Sequence, residues 1–381
     1  MLILIAAGGT GGHIYPALAV ARSLRERGAA DVNIRWLGGR RGLESRIVPA
    51  AGIPLERLWL RSLRSVDLSL HTVLDPLRLV ASLPQAVALL LRSRPRVIFT
   101  TGGYVAIPVL LAAALLRIPT LMWEGNRLAG RSVRFTARLA SALAVTFAET
   151  CNQLPGDCYV TGTPIRSFEG LSRDQARAAL GLEPQLPCLL VFGGSQAVRR
   201  LNDAVADALP DLVVGASIVH VCGDAGLEDA RRNRASLPTA LQGRYQPHAF
   251  LDADMARALI AADLIVGRAG SSTLAEASAL GTPIVVVPYP HASGHQVANA
   301  RLLADAGAAL VVADEDFDAD ALRRAAALAS DASALQPMRA AARQLGRPGS
   351  AAALAAILLA LAERRALPSS RSIEELSRAD A

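Results

Sequence analysis

His13 directly follows a glycine turn, Gly8-Gly9-Thr10-Gly11-Gly12, which is fed by the apolar run Leu2–Ala6. A helix start disfavours imidazolium, so this ring is expected to be neutral and able to accept a proton near neutral pH. The structural alternative is a packing histidine. A second apolar run, Cys188–Phe192, ends in Gly193-Gly194-Ser195-Gln196, and a helical pattern opens near Leu201. A strand that feeds a glycine turn and a helix presents bare backbone N–H groups and the positive end of a helix dipole. That arrangement suits a phosphate or another anion. Two such cradles suggest two nucleotide-fold domains facing one cleft.

Other residues offer chemistry with a plainer reading beside it. Arg166 follows Gly162-Thr163-Pro164 at a strand end, where it could reach a diphosphate or simply be solvated. Thr273-x-x-Glu276 reads as a capping box, or as a carboxylate that accepts ribose hydroxyls at a helix start. The pairs Asp252–Asp254 and Asp318–Asp320 could hold a metal, but read better as helix caps and a loop-like acidic run. The dinucleotide fingerprint fails: Ile14 stands where a third glycine is needed, and the second strand ends in Trp36-Leu37-Gly38 without an acid.

These residues need strands and helices to position them. Strand-like runs at 2–6, 32–37, 97–101, 120–123, 142–146 and 158–161 alternate with helical patterns at 16–27, 77–92 and 105–116. The alternation restarts at 188–192 and continues at 216–222, 262–266, 283–287 and 309–312. It predicts an α/β chain with parallel sheets covered on both faces. The expected division is 1–163, 164–348, a helix over 349–366 that crosses back to the first domain, and a loose tail over 367–381.

With 381 residues, 52% hydrophobic, the chain is long enough for two such domains. All 40 basic residues are arginine, which excludes a P-loop lysine and a Schiff-base lysine. Residues 1–166 hold 20 arginines against 9 acids, a net +11, while the remainder is −4. The basic half should meet an anionic partner such as a lipid phosphate or a membrane. Arg61, Arg64, Arg78, Arg92 and Arg94 are interleaved with Trp59 and aliphatic residues, as on a bilayer-docking patch or an ordinary half-buried helix. No nucleic-acid recognition motif accompanies the charge. Cys151, Cys158, Cys188 and Cys222 lack zinc-ligand spacing and read as reduced thiols. No signal peptide or spanning segment is expected.

The segments GGTGGHIYPALAVA (8–21), TGGYVAIP (101–108), EGNRLAG (124–130), GTPIR (162–166), FGGSQAVRRLN (192–202), FLDADM (250–255) and RAGSSTLAEASALGTPIVVVPYPHASGHQVANA (268–300) occur in order over most of the chain. Together they resemble the MurG family, GT-B glycosyltransferases of peptidoglycan synthesis. The resemblance implies an inverting, metal-independent transfer of N-acetylglucosamine from UDP-GlcNAc to the C4 hydroxyl of lipid I, forming lipid II on the cytoplasmic membrane face. It implies no cofactor. His13 would be the general base. Donor contacts would come from Thr10, Gly11, Gly12, Asn126, Arg166, Ser195, Leu251, Glu276 and Gln296. Gly102, Gly103 and Tyr104 would form the acceptor-side loop. The chain departs from the family at Trp123 and Gly125, where His and Gln are usual, and at Ala197-Val198, where Gly-Ala is usual. Two alternatives remain: a UDP-GlcNAc 2-epimerase-like isomerase and a catalytically silent membrane-bound scaffold.

Overall fold

The computed structural model describes residues 1–27, 32–40, 42–60, 70–193, 199–251, 254–290 and 294–379, with backbone only at 70–77. The chain divides into two compact units, Met1–Ile165 with Arg347–Ala381, and Arg166–Gly346.

The first unit is built on a seven-stranded sheet whose strand pairs are all parallel. Its strands are β1 (Leu2–Ala6), β2 (Asn33–Gly38), β3 (Leu55–Arg57), β4 (Val97–Thr100), β5 (Thr120–Glu124), β6 (Ala142–Val145) and β7 (Cys158–Val160), in the spatial order 3-2-1-4-5-6-7. Alternation along β1 sends Ile3 and Ile5 to one face and Leu4 and Ala6 to the other. The first face packs Trp36, Phe99, Leu121 and Trp123 against helix Gly11–Arg27 and the returning helix Ser350–Ala362, through Leu354, Ile357 and Leu358. The second packs Leu37 and Ile98 against Leu58, Leu90, Val109 and Ala113. Both faces are buried, so the central strands are continuously apolar.

The second unit carries a six-stranded parallel sheet. Its strands are β8 (Cys188–Phe192), β9 (Ser217–Val221), β10 (Tyr245–His248), β11 (Leu264–Gly267), β12 (Ile284–Val286) and β13 (Ala309–Val311), in the order 10-9-8-11-12-13. Asp263, just before β11, gathers this unit's polar interior. It is ion-paired to Arg173, to Arg177 at 3.1 Å and to Arg339 at 3.1 Å, and it accepts the Cys188 N–H at 2.9 Å.

Several expectations need correction. The tail beyond 367 is ordered as helix Ser370–Arg378: Ser369 caps it, and Ile373 is buried in the first unit's core. Arg347 secures it through Ser377 Oγ at 2.8 Å and Glu374 at 3.1 Å. Helix Gly11–Arg27 opens five residues ahead of Pro16. Gly12, whose carbonyl the missing proline N–H would have bonded, is exposed and can be hydrated. Cys151 and Cys158 are paired across the short turn into β7, with Cα atoms 5.9 Å apart, whereas Cys188 and Cys222 are buried free thiols. The apolar stretch Ala332–Ala362 is split by residues 346–349 into helices Ala332–Leu345 and Ser350–Ala362, and 61% of its most apolar window is buried.

Within the second unit, His220 bonds Tyr245 Oη at 2.8 Å and Asn202 Oδ1 at 3.0 Å. The amide oxygen requires the proton on Nε2, so Nδ1 accepts from the phenol. Burial, with a smaller push from His248, depresses the His220 pKa to about 3. Between that value and the ordinary value of 6.5, the unfolded chain binds a proton that the folded chain refuses, so stability falls as pH falls through this window. The expected slope from this group is up to about 1.4 kcal/mol per pH unit. Urea titrations of His220→Gln should lose that share of the acid slope; a slope identical to wild type would refute the assignment.

Candidate functional site

In each sheet the strand order reverses beside the first strand of the unit, between β1 and β4 and between β8 and β11. Crossovers leave in opposite directions there and open a crevice at the carboxyl ends of the strands. The sequence places its glycine turns at these two points.

In the first unit, Ala6 stands opposite Thr100 in the last rung of the β1–β4 ladder. Beyond it, side chains replace the ladder. Thr100 Oγ1 donates to the Ala6 carbonyl at 2.7 Å and accepts the Gly102 N–H at 3.1 Å. His13 and Thr101 bind reciprocally: His13 Nδ1 lies 2.8 Å from the Thr101 carbonyl, and Thr101 Oγ1 donates to the His13 carbonyl at 3.1 Å. A carbonyl can only accept, so Nδ1 carries the proton and Nε2 is the basic nitrogen of the neutral ring. The His13 backbone is also fixed, because its N–H reaches the Thr10 carbonyl at 3.0 Å.

Gly102 and Gly103 have φ of +82° and +77°, which only glycine adopts readily. A Cβ on Gly103 would approach His13 Nε2 to 3.6 Å, so this loop lies against the histidine ring. Tyr104 is turned inward. Its hydroxyl donates to Glu44 at 3.4 Å, and burial followed by the Glu44 charge raises its pKa.

One strand over, β5 ends in Glu124, which is buried. Its Oε1 accepts both the backbone N–H (2.9 Å) and the Nδ2 (3.0 Å) of Asn126, and its Oε2 accepts the Gly130 N–H at 2.8 Å. Glu124 therefore sets the loop and amide orientation of Asn126. Trp123 points to the opposite face of β5, where its Nε1 donates to the Gly162 carbonyl at 2.9 Å. The residue that departs from the family pattern thus lies in the core.

In the second unit, β11 ends at Gly267, where a Cβ would lie 2.7 Å from the Phe192 carbonyl of β8. Helix Ser271–Leu280 follows, with Gly270 at its N-cap. Thr273 therefore lies inside the helix, and the capping-box reading fails; Ser172 and Gln175 form such a box at helix Arg173–Ala179. Glu276 is buried and pairs with Arg166 Nε at 2.6 Å. Burial raises its pKa, and the Arg166 charge and hydrogen bond oppose that shift.

Gln296 Oε1 accepts the N–H groups of Tyr289 (2.8 Å) and Ala269 (3.2 Å), which orients its Nε2 as the donor end. Arg268, between β11 and this turn, pairs with Asp314, donates to the Val287 carbonyl at 3.1 Å and lies 5.5 Å from the Tyr289 ring centroid. Leu251 buries its side chain beside Phe192 and Met255. Ser195, Asp252, Arg61 and Arg64 lie outside the described residues. Trp59 and Val80 are exposed, whereas Leu58 and Leu60 are buried. Asp318 caps helix Ala319–Ser330, and Asp320 pairs with Arg323. Among the described residues, no three His, Cys, Asp or Glu side chains gather as metal ligands would.

Residues 3–145 match the glycosyltransferase family 28 N-terminal domain, and residues 188–353 match the family's C-terminal domain. A transferase of Desulforudis audaxviator is 40% identical over 356 residues, covering 91% of this chain and 95% of that protein. It is named UDP-N-acetylglucosamine–N-acetylmuramyl-(pentapeptide) pyrophosphoryl-undecaprenol N-acetylglucosamine transferase. The crystal structure of Acinetobacter baumannii MurG superposes with a TM-score of 0.72 at 30% identity, covering 94% of this chain and 98% of that one.

The chain belongs to the MurG family.

A UDP-N-acetylglucosamine 2-epimerase structure from Listeria monocytogenes has a TM-score of 0.66 at 14% identity, over 97% of this chain and 98% of that one, a likeness of fold alone. Sequence reasoning missed Glu44, Thr101 and Arg268 and left Glu124 without a role, although all four touch residues at MurG-family motif positions. The signal for Glu44 was an acid soon after the strand-ending pair Gly38-Gly39.

The Arg166–Glu276 pair yields a direct test. Arg166→Met strands a buried carboxylate and is expected to lower unfolding stability by about 3 kcal/mol. Arg166→Met/Glu276→Met should recover most of that loss in the same denaturant titration. A double variant as unstable as the sum of the singles would show that the two side chains do not interact.

Proposed function

We propose that this chain transfers N-acetylglucosamine from UDP-GlcNAc to the C4 hydroxyl of the muramoyl sugar of lipid I, producing lipid II. The full-length identity to the named transferases supports the reaction, and the held tautomer of His13 is the geometric observation that carries its mechanism.

His13 Nε2 takes the proton of the acceptor hydroxyl as its oxygen attacks the anomeric carbon. The bond from that carbon to the β-phosphate oxygen breaks, the sugar inverts, and UDP leaves with the electron pair. Arg166 and the turn at Gly193–Ser195 would stabilise the diphosphate charge, as oriented donors do in a site shielded from water. Glu276 would receive the ribose hydroxyls by exchanging part of its bond to Arg166. Asn126 and Gln296 would hold the transferred sugar, and Leu251 would present its backbone to the uracil. Thr10–Gly12 would close on the donor and the acceptor diphosphate, and Gly102–Tyr104 would receive the acceptor.

The first unit would thus hold the lipid-linked acceptor and the second the donor. The excess of arginine in residues 1–166, with Trp59 and Val80 exposed, supports peripheral docking of the first unit on the anionic cytoplasmic face of the cell membrane.

Labelled UDP-GlcNAc, supplied with and without a lipid I analogue, tests the reaction. Acceptor-dependent transfer is expected, and UDP release that ignores the acceptor would favour the epimerase-like reading. His13→Ala should reduce turnover by about 10²–10⁴-fold with nearly unchanged UDP affinity; wild-type turnover would remove His13 as the base. Charge reversal at Arg61, Arg64 and Arg78 should weaken binding to anionic vesicles in a salt-sensitive manner. Undiminished binding would place the docking surface elsewhere.

A further inference from the structure

Glu44 is fully buried in the first turn of helix Glu44–Ala50, and its carboxylate lies among the glycine turns that close β1 and β2. Oε2 accepts the Gly9 N–H at 2.9 Å. Oε1 accepts the Gly39 N–H at 3.0 Å and the Tyr104 hydroxyl at 3.4 Å. Two turns that are 30 residues apart, and a phenol from the loop after β4, therefore share one acceptor pair.

The neighbouring glycines make room for this group. A Cβ at Gly8 would lie 2.7 Å from Oε1, one at Gly38 would lie 2.8 Å from Cγ, and one at Gly42 would collide with the carboxylate itself. Tyr104 closes the arrangement from above, because its ring edge would be 3.2 Å from a Cβ on Gly9, and its hydroxyl would collide with one on Gly39. Gly9 has φ +97°, and its N–H is spent on Glu44.

The geometry points to Glu44 as a positioning residue for the acceptor half of the proposed reaction, on which this inference rests. Its carboxylate fixes the Gly9 turn, Thr10 follows in sequence, and the Thr10 carbonyl receives the His13 N–H. Tyr104 carries the same restraint to Gly103, which lies against the His13 ring. Glu44 thus sets where the base and the anion-receiving turn stand relative to one another without itself meeting substrate. A glutamine cannot replace it: its NH₂ would face one of the backbone N–H donors, and one turn would lose its acceptor.

Glu44→Gln, Tyr104→Phe and the double variant, made in the full chain, test this assignment by steady-state kinetics and amide hydrogen exchange. Glu44→Gln should raise the KM for a lipid I analogue about tenfold or more, with the KM for UDP-GlcNAc nearly unchanged. Exchange should accelerate at residues 7–14 and 37–40 and not at 264–276. Tyr104→Phe should shift the acceptor KM in the same direction by a smaller factor, and the double variant should be no worse than Glu44→Gln alone.

A wild-type acceptor KM with unaltered exchange in Glu44→Gln would overturn the proposal, as would a proportional rise in both KM values. Should Glu44→Gln fail to fold, Tyr104→Phe decides: unchanged acceptor KM and unchanged exchange at residues 7–14 overturn the assignment. Absence of transfer by the wild-type enzyme would defeat the proposed reaction instead, and the exchange comparison would still judge Glu44.

Discussion

Parallel sheets impose a constraint at their carboxyl ends. Once a strand leaves the ladder, the N–H groups of the following turn have no backbone partner, and a buried donor left unpaired is costly. This chain meets that demand with side-chain oxygens, some from the turn's own neighbourhood and some from distant segments. Glu44 receives Gly9 and Gly39, Glu124 receives Asn126 and Gly130, and Gln296 receives Ala269 and Tyr289. Asp263 does the same for Cys188 at the opposite end of β8. Each acceptor shapes a turn; Glu44 and Glu124 lie beside residues proposed to meet substrate, and Gln296 is itself one of those residues.

The reciprocal bond between His13 and Thr101 answers the same demand with a different outcome. It closes the gap between β1 and β4 and also decides which imidazole nitrogen is basic. One pair of residues thus repairs the ladder and fixes the tautomer. Arginine serves similarly in the second unit. Asp263 is surrounded by three guanidinium groups, and Arg268 combines an ion pair, a carbonyl contact and an aromatic face. A planar, many-donor cation suits such sites better than an ammonium would, so the absence of lysine removes no structural capacity here.

The central strands were legible because burial on both faces leaves them continuously apolar, and the glycine turns were legible because they end those runs. Of the four edge strands, two were not. Leu55–Arg57 and Tyr245–His248 are short, polar edge segments, and the second contains a proline. The helix Ser370–Arg378 was read as a loose tail because only Ile373 and Leu376 mark its apolar face. His13, Asn126, Arg166, Glu276 and Gln296 were visible as motif positions. Their supporting partners were not, since Glu44 and Gly9 are separated by 35 residues and Arg268 and Asp314 by 46. Contacts at that separation follow from strand order, which local patterning does not encode. Trp123 illustrates the converse: it departs from the family motif, yet strand alternation turns it into the core.

The return of Ser350–Ala362 to the first unit bears on the order in which the protein can be made. Translation releases residues 166–346 as a whole unit, while the N-terminal sheet still lacks the helices that cover part of its face. The unit encoded second can therefore be complete first, reversing the usual vectorial sequence. Until synthesis ends, Ile3, Ile5 and Trp36 lack their packing from Leu354, Ile357 and Leu358. A nascent chain of this protein thus presents an unfinished apolar surface for almost the whole of its time on the ribosome, and a stop codon near residue 346 would spare the later unit while leaving the earlier one uncovered.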